Sequence, residues 1–338
     1  MLEDVARIHL LAGDDAEVAL ITTSLLGRST EEEPALAALH IKKGHLVLKD
    51  GVALPVVGGR TAVADFLDQD GLKSLDVLNT PLSDSVIIKD GLFVAGHHNY
   101  YHFLVYFLPG LLFLKARPRS PDGFLRLYMS GGAPKSLETF LAQFLPMLGG
   151  APVTMTQLPD GVYSVRDILF PTLPKLFTPA LVCRRVVLPL VMHLAGIAGP
   201  SQGAGALKLF VRRVNAPGGR NLTNQDEVEA WFAARGFTPV DPGALSFEDQ
   251  VLLFARATHI AGVEGAAMAN ILFAVQAREI FMISSPAVRQ HELFGPLLQQ
   301  YSVGFKTVFG KLDPLEPKRR AANYHLPLAA LDALQISG

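Results

Sequence analysis

Three arginines are the residues of this chain best suited to bind an anion. Arg212 and Arg213 follow the apolar run Leu207–Val211, and Arg220 closes the Pro-Gly-Gly loop behind them. A guanidinium group binds two phosphate oxygens at once and needs no metal ion to do so. These residues predict a site for a phosphate group, although a solvated rim of arginines would have the same composition.

A small-residue turn provides a second candidate for anion binding. Residues 262–273, GVEGAAMANILF, predict a strand that runs through a turn directly into a helix. Gly262 and Gly265 flank the turn, where glycine lets the backbone bend sharply and a ligand approach closely. The free N–H groups and the dipole of a helix that begins at Ala266 favour a phosphate group. An ordinary strand-to-helix turn of an α/β domain fits the same residues.

Histidines open the most apolar segment of the chain, residues 96–116. His98 and His102 are four apart, so a helix could place both on one face, and histidine is the usual general base near neutral pH. Helix capping and core packing explain these histidines equally well. Zinc sites also use this spacing, but no acid or cysteine lies nearby, so we predict no metal site. Pro109-Gly110 breaks the segment, which is shorter than the ~20 apolar residues of a membrane-spanning helix.

Composition limits the classes of protein to which these residues can belong. The 338 residues are enough for about two domains, and the 49% hydrophobic and 18% charged content is typical of a globular chain. A net charge of −1 provides no electrostatic footprint for nucleic acid. Cys183 is the only cysteine, which excludes an internal disulfide. The acidic start of the sequence does not match an export signal, so we predict a cytoplasmic protein and leave open peripheral association with the inner face of the membrane.

The elements that must position these residues follow from the hydrophobic pattern. Asp50-Gly51 and Asp90-Gly91 each join two short apolar runs, which predicts β-hairpins in the N-terminal part. From Phe124 onward, strands alternate with helices, which predicts a parallel sheet covered by helices.

The second half of the chain predicts a doubly wound domain. The glycine-rich residues 199–206 form the clearest change of composition and predict a linker. Beyond them, five predicted strands alternate with helices. Ligands of such sheets lie beyond the carboxyl ends of the strands, and both Arg212-Arg213 and the Gly262 turn would lie on that edge. Two separate parts of the sequence therefore converge on one place.

Four stretches of the chain together resemble glycosyltransferase family 61. They are HNYYHFLVYFLPGLLFL, LFVRR, RNLTNQDEV and GFTPVDPGALSFEDQVLLFARATHIAGVEGAAMANILF, and the resemblance spans roughly residues 90–285. It implies an inverting transferase whose substrates are a nucleotide diphosphate sugar and a glycan hydroxyl. Because arginines can bind the diphosphate without a metal ion, we predict a metal-independent hexosyl- or pentosyltransferase with no other cofactor. Many bacterial members of the family are linked to capsular or exopolysaccharide synthesis.

The resemblance also implies the GT-B architecture, in which two Rossmann-like, doubly wound domains face a cleft. Here the fold would carry extra N-terminal hairpins. The predicted parts are an acceptor-side domain over residues 1–198, a linker over 199–206, a nucleotide-sugar-binding domain over 207–320 and a C-terminal helix over 321–338 that packs back on the first domain.

Site residues follow from the resemblance position by position. For the catalytic base, His102 is the first candidate and His98 the second. The donor-binding residues that it implies are Arg212, Arg213, Arg220, Gly262, Glu264, Gly265, Ala266 and Asn270.

Departures from the family pattern raise an alternative. Glu264 stands where the family usually has histidine, Phe103 replaces a tryptophan, and Tyr106 and Gly110 stand where an acid and an arginine are common. Because a carboxylate repels a diphosphate, we expect Glu264 to point toward the ribose hydroxyls. The alternative is a catalytically degenerate relative that binds a nucleotide or glycan as a partner in a polysaccharide assembly complex. A dehydrogenase is less favoured, because no G-x-G-x-x-G follows a predicted strand.

Overall fold

The computed structural model describes most of the chain as two compact units. The units are Met1–Pro179 and Ala180–Gly338. The described residues are 7–11, 16–22, 36–49, 52–57, 60–61, 86–94, 98–116, 122–171, 178–197, 206–214, 219–287, 291–299, 301–312 and 322–336.

Within the described part of the first unit, nine strands form one mixed sheet. In chain order they are β1 (Arg7–Leu11), β2 (Ala16–Thr22), β3 (Leu36–Lys49), β4 (Val52–Val57), β5 (Arg60–Thr61), β6 (Val86–Val94), β7 (Leu125–Met129), β8 (Val153–Gln157) and β9 (Gly161–Pro171). The main path is β1-β2-β3-β9-β6-β7-β8, with β4 beside β3 and β5 beside β4. Strands β6 to β9 pair in parallel, whereas β1 to β5 pair antiparallel and join them through β3 and β9.

Only one of the two predicted hairpins forms. Strands β3 and β4 pair antiparallel with Lys49 opposite Val52, which confirms the first hairpin, although its turn residues lie outside the described part. The second prediction is wrong, because β6 runs continuously through Asp90 and Gly91. Asp90 has a positive φ of 54°, and a Cβ on Gly91 would lie 2.6 Å from the ring of Tyr128. The dipeptide therefore kinks one strand and lets β7 approach closely.

The apolar segment after β6 is helical but irregular. Helix α1 consists of an α-helical turn (Tyr100–His102), a π-helical turn (Phe103–Phe107) and a 3₁₀ stretch (Leu108–Ala116). Leu108 N–H bonds the carbonyl of Phe103, five residues back. Pro109 cannot donate an N–H and its ring would clash with the preceding α-helical turn, which accounts for the wider turn before it. Helix α2 spans Glu138–Gly149.

The described part of the second unit contains a parallel sheet of five strands in the order β11-β10-β12-β13-β14. These are β10 (Leu207–Val211), β11 (Phe237–Val240), β12 (Ala257–Val263), β13 (Glu279–Ser284) and β14 (Gly304–Phe309), and a short pair β15 (Lys311–Leu312) and β16 (Tyr324–His325) follows. The strand order reverses between β10 and β12, so the carboxyl ends of these two strands flank the topological switch point. The predicted α/β class with parallel sheets is thus confirmed.

Helices connect these strands. They are α3 (residues 178–194, with a π-helical turn at Cys183–Val187), α4 (Gln225–Ala233), α5 (Phe247–Arg256), the 3₁₀ helix α6 (Ala266–Phe273), α7 (His291–Leu298) and α8 (Leu328–Asp332). Ser246 caps α5, since its side chain accepts a hydrogen bond from the N–H of Asp249. The core between sheet and helices contains Phe210, Phe232 and Phe281, all fully buried.

The second unit begins within α3. The chain divides between Pro179 and Ala180, well before the predicted linker, most of which lies outside the described residues. The reason is visible at Arg184 in α3, whose guanidinium donates to the carbonyls of Leu272 and Ala274 at the end of α6. Near the other end of the unit, Leu331 of α8 is buried in the core.

Candidate functional site

The topological switch point brings together two of the predicted anion-binding segments. Val211 of β10 lies opposite Gly262 of β12, so the residues that follow both strands emerge side by side. There the Arg213 Nη1 donates to the carbonyl oxygen of Glu264 at 2.9 Å. The arginines and the glycine-containing turn therefore meet at one sheet edge, although they are about fifty residues apart in the sequence.

Arg213 is fixed from several directions. Its Nη2 donates to the carbonyl oxygen of Gly219 at 3.2 Å, and its backbone N–H donates to Oε1 of Gln225 at the start of α4. Burial is the main cause that lowers the pKa of Arg213, followed by the charge of Arg220, while Tyr324 and Glu264 act in the opposite direction. An arginine titrates far above neutral pH, so the guanidinium keeps its positive charge here.

The two glycines of the predicted turn have different functions in the fold. Gly262 lies inside β12, where an added Cβ would be 2.7 Å from Sδ of Met268 and 2.8 Å from Cβ of Val211. It is required for close packing of α6 and β10, and it is not part of the turn. An added Cβ on Gly265 would instead overlap Nη1 of Arg213. Gly265 therefore provides the space in which the Arg213 guanidinium lies.

Glu264 is enclosed by protein groups. Its side chain is 3% exposed, its carboxylate accepts a hydrogen bond from the Ser284 hydroxyl, and Oε1 lies 3.8 Å from Nη1 of Arg220. Its backbone N–H donates to the carbonyl of Ile283. Partners of this kind are what a buried carboxylate requires, because burying an unpaired charge is costly. The carboxylate does not face solvent, where the predicted ribose would approach.

Tyr324 stabilises the turn that contains Arg220. Gly219 and Arg220 both have positive φ, 76° and 59°, so the chain reverses sharply before Asn221. The backbone of Tyr324 then exchanges hydrogen bonds with Asn221 and Thr223, and its hydroxyl donates to the carbonyl of Ile283 at 3.3 Å. Burial, and then the charge of Glu264, raises the pKa of Tyr324, while Arg213 and Arg220 lower it.

These polar residues form what we term the arginine–glutamate cluster. Its members are Arg213, Arg220, Glu264, Ser284 and Tyr324. Sequence patterns did not single out Ser284 or Tyr324. Ser284 could have been found by noting that β13 must end beside β12, but no local motif marks Tyr324, which lies about a hundred residues from Arg220.

Three other predicted donor residues lie apart from this cluster or serve the fold. The Arg212 Nε lies 2.8 Å from Oε2 of Glu229 and its Nη2 3.8 Å from Asp226, so it pairs with helix α4. Asn270 is fully buried and its Nδ2 donates to Oε1 of Gln250 and the carbonyl of Ala267, which ties α6 to α5. Ala266 is half-buried and begins α6, which is a 3₁₀ helix and not the expected α-helix.

The two histidines of the first unit lie in different settings. His102 ends the first turn of α1, where its N–H bonds Oδ1 of the capping residue Asn99. The half-buried His102 ring lies 5.6 Å, between ring centroids, from both Tyr101 and Tyr106. Burial, and then Tyr106, raises the pKa of Tyr101.

His98 precedes the helix, so the predicted shared helical face does not form. Its ring is exposed and packs where a Cβ of Gly132 would be. Its Nδ1 lies 3.3 Å from the carbonyl oxygen of Ala133. A carbonyl can only accept, so Nδ1 is the donor in this hydrogen bond.

The described residues contain neither a cluster of metal ligands nor a membrane-spanning helix. Among them, no group of three or more His, Cys, Asp or Glu side chains is arranged to hold a metal ion. None of the helices in that part of the chain is long and apolar enough to span a membrane.

Comparison with protein families decides the relationship of the chain. The model of the family described as Glycosyltransferase 61 matches residues 100–282, more than half of the chain. The chain belongs to glycosyltransferase family 61. The family resemblance drawn from the motifs is therefore confirmed, and the matched region runs from the first turn of α1 into β13.

Comparisons with individual proteins are more distant. A search of curated sequences finds no match. Among solved structures, the chain is similar to a crystal structure described as the bacterial iron-containing dodecameric glycosyltransferase TibC from enterotoxigenic E. coli. The two share 11% identity, the alignment covers 81% of this chain and 74% of that one, and the TM-score is 0.31.

Proposed function

We propose that this member of glycosyltransferase family 61 is an inverting transferase that moves a hexosyl or pentosyl group from a nucleotide diphosphate sugar to a glycan hydroxyl. The donor diphosphate binds at the switch point of the second unit. The observation that carries the proposal is the hydrogen bond between Arg213 and the Glu264 carbonyl, since it joins the residues after β10 to those after β12. The family's GT-B arrangement, a role in capsular or exopolysaccharide synthesis and a cytoplasmic location are parts of the same proposal.

The arginines supply the chemistry that departure of a nucleoside diphosphate requires. Negative charge develops on the leaving diphosphate, and fixed cationic donors stabilise it more than they stabilise the bound donor sugar. Arg213 and Arg220 repel each other electrostatically, as the effect of Arg220 on the pKa of Arg213 indicates, and an anion between them relieves that repulsion. The backbone N–H groups of Gly265 and Ala266 at the start of α6 add neutral hydrogen-bond donors.

Transfer with inversion also needs a base to remove the proton of the acceptor hydroxyl. We assign this role to His102, with His98 as the second candidate. His102 is half-buried between two tyrosine rings, which limit the orientations of its imidazole. Because a guanidinium group binds two phosphate oxygens directly and needs no metal ion to do so, the proposal requires no divalent cation.

Binding and turnover test the proposal together. Isothermal titration with UDP, GDP, ADP and CDP should show binding of at least one, and the matching nucleotide sugars should slowly release free nucleotide without an acceptor. Addition of EDTA should leave that release unchanged. Loss of activity with EDTA and recovery with one divalent metal would contradict the metal-independent mechanism.

A second function is favoured by the surroundings of Glu264. Its carboxylate lies at the usual histidine position of the family and is enclosed by Ser284 and Arg220, an arrangement that suits a fixed binding site as well as a catalytic one. A catalytically degenerate relative that binds a nucleotide or glycan within an assembly complex would bind a nucleoside diphosphate tightly and release none from any nucleotide sugar. The same two measurements therefore separate the two functions.

A further inference from the structure

The function of the buried Glu264 carboxylate follows from the charges around it. The arginine–glutamate cluster contains two guanidinium groups and one carboxylate, so it keeps a net positive charge at the sheet edge. Without the carboxylate, Arg213 and Arg220 would repel each other in a partly buried setting where solvent screens poorly. Glu264 therefore acts as the counter-ion that allows two arginines to lie at one site.

The orientation of this carboxylate depends on Ser284. Ser284 is the last residue of β13 and is fully buried, and its hydroxyl donates to one carboxylate oxygen of Glu264. The other carboxylate oxygen is the one nearest Arg220. A carboxylate is planar, so a hydrogen bond that fixes one oxygen also fixes the direction in which the other faces.

Arg220 needs its guanidinium positioned by Glu264, because its own backbone is in a conformation that few non-glycine residues adopt. Its φ is 59°, directly after Gly219 at 76°. Tyr324 holds the backbone of this turn through Asn221 and Thr223, but the guanidinium itself is directed by Glu264. The contacts run from the end of β13, through the turn after β12, to the arginine of the loop after β10.

We propose that Ser284 is a positioning residue for the donor diphosphate, which acts through Glu264 to hold the Arg220 guanidinium beside Arg213. The ligand class is a nucleoside diphosphate, recognised through its phosphates. The inference rests on the proposed function, since it names how that same site is organised. It replaces the ribose contact expected for Glu264 with a contact to protein side chains.

The test compares two adjacent serines. Ser284→Ala removes the hydroxyl that donates to the Glu264 carboxylate. Ser285→Ala removes a hydroxyl that accepts a hydrogen bond from the N–H of Ala287. Titration uses whichever of UDP, GDP, ADP and CDP binds tightest, with its parent nucleoside as the second ligand. We expect Ser284→Ala to weaken the diphosphate about five- to tenfold, the loss of one charge-assisted hydrogen bond, and to leave the nucleoside unchanged. Ser285→Ala should change neither.

A double-mutant cycle separates positioning from a structural effect. If Ser284 acts through Arg220, then Ser284→Ala should cause no further loss of diphosphate affinity in an Arg220→Ala background. Equal losses in both backgrounds, or equal effects of the two serine variants, would overturn the inference. Ser284→Cys, which keeps the side-chain volume with a weaker donor, should give the same result and replaces Ser284→Ala if thermal unfolding shows that the alanine variant is not folded.

Failure of this inference is distinguishable from failure of the proposed function. If Arg213→Ala abolishes diphosphate binding but Ser284→Ala has no effect, only the positioning role is lost. If folded Arg213→Ala binds diphosphate normally, or if the wild-type chain binds none of the four nucleotides, the switch-point site and this inference both fail.

Discussion

The switch point of the second unit and the histidine segment of the first unit were both predicted as functional, and they are built differently. At the switch point, Arg213, Glu264 and Ser284 come from the ends of three strands and interlock through hydrogen bonds and an ion pair to Arg220. In the histidine segment, His102 contacts rings of its own helix. A sheet edge collects residues that are distant in sequence, whereas a single helix groups only near neighbours.

This difference shows which kind of prediction from sequence is more reliable, one from sheet topology or one from helical spacing. The convergence at the switch point was inferred from topology, and a polar network joins the strand ends there. The pairing of His98 with His102 was inferred from helical spacing, and it fails because the helix begins only at Tyr100. Spacing arguments need the helix boundary to be right, which sequence patterns fix less well than the existence of the helix.

The largest expected effect concerns His102. Replacing His102 with alanine should lower turnover by about 10²- to 10⁴-fold, the usual contribution of a general base. Affinity for the nucleoside diphosphate should not change, because the proposed donor site lies in the second unit. Steady-state rates together with nucleotide titration provide the measurement.

The matched control is His98→Ala. His98 is exposed and its Nδ1 is directed to the carbonyl of Ala133, so we expect about a tenfold loss of turnover or less. A larger loss for His98→Ala than for His102→Ala would exchange the roles of the two histidines. Nearly full activity of both variants would remove the histidine segment from the mechanism.

The second prediction compares the two adjacent arginines. Arg213→Ala should lower turnover about a hundredfold and weaken nucleoside diphosphate binding, since this guanidinium lies at the switch point. Arg212→Ala should change both by no more than about threefold, because Arg212 pairs with Glu229 and Asp226 on α4 at a surface where ion pairs contribute little. If Arg212→Ala has the larger effect, the diphosphate lies on the α4 side of the sheet edge.

Much of the second unit could be predicted from the sequence because its elements are short and clearly bounded. The strands Leu207–Val211 and Phe237–Val240 are short and each ends just before a charged residue, and Ser246 with Asp249 three positions later has the spacing of a helix cap. Apolar runs between turn residues and local capping chemistry determine these elements, and both are visible in a sequence window.

The interior of the site could not be predicted in the same way. Local sequence shows Glu264 as a misfit beside a phosphate, but only the register of β12 against β13 brings it to Ser284. Tyr324 lies in the short strand pair that follows the five-stranded sheet in the sequence, and its hydroxyl donates to the carbonyl of Ile283. The glycine-rich stretch is conspicuous in composition, whereas the bonds from Arg184 to the end of α6 are long-range and have no local sequence signal.

The third prediction concerns Gly262, which is required for packing of the fold and is not part of the turn at the site. Gly262→Ala should destabilise the second unit by about 1–3 kcal/mol, because the new methyl group meets the Val211 backbone carbonyl and side chain, and backbone cannot easily move away. The thermal midpoint should fall by roughly 2–4 °C per kcal/mol for a unit of this size. An unchanged midpoint would mean that β10 and β12 can separate slightly without loss.

The smallest effect on stability is expected at Gly265, and here the comparison between fold and site is sharpest. An added methyl group would overlap only Nη1 of Arg213, a side-chain atom and not backbone, and the next nearest atoms lie at 3.5 Å and 3.9 Å. The backbone at Gly265 is extended, with φ 172°, which alanine adopts without strain. We therefore expect Gly265→Ala to lower the free energy of unfolding by about 1 kcal/mol or less, the net contribution of one hydrogen bond of Arg213. Nucleoside diphosphate affinity should fall about fivefold, as expected when one hydrogen bond of Arg213 is lost.

Thermal unfolding and nucleotide titration of the two glycine variants side by side provide the measurement. A Gly265→Ala variant as unstable as Gly262→Ala would show that both glycines serve the fold, and unchanged affinity in a stable variant would show that the position of the Arg213 guanidinium does not matter for binding.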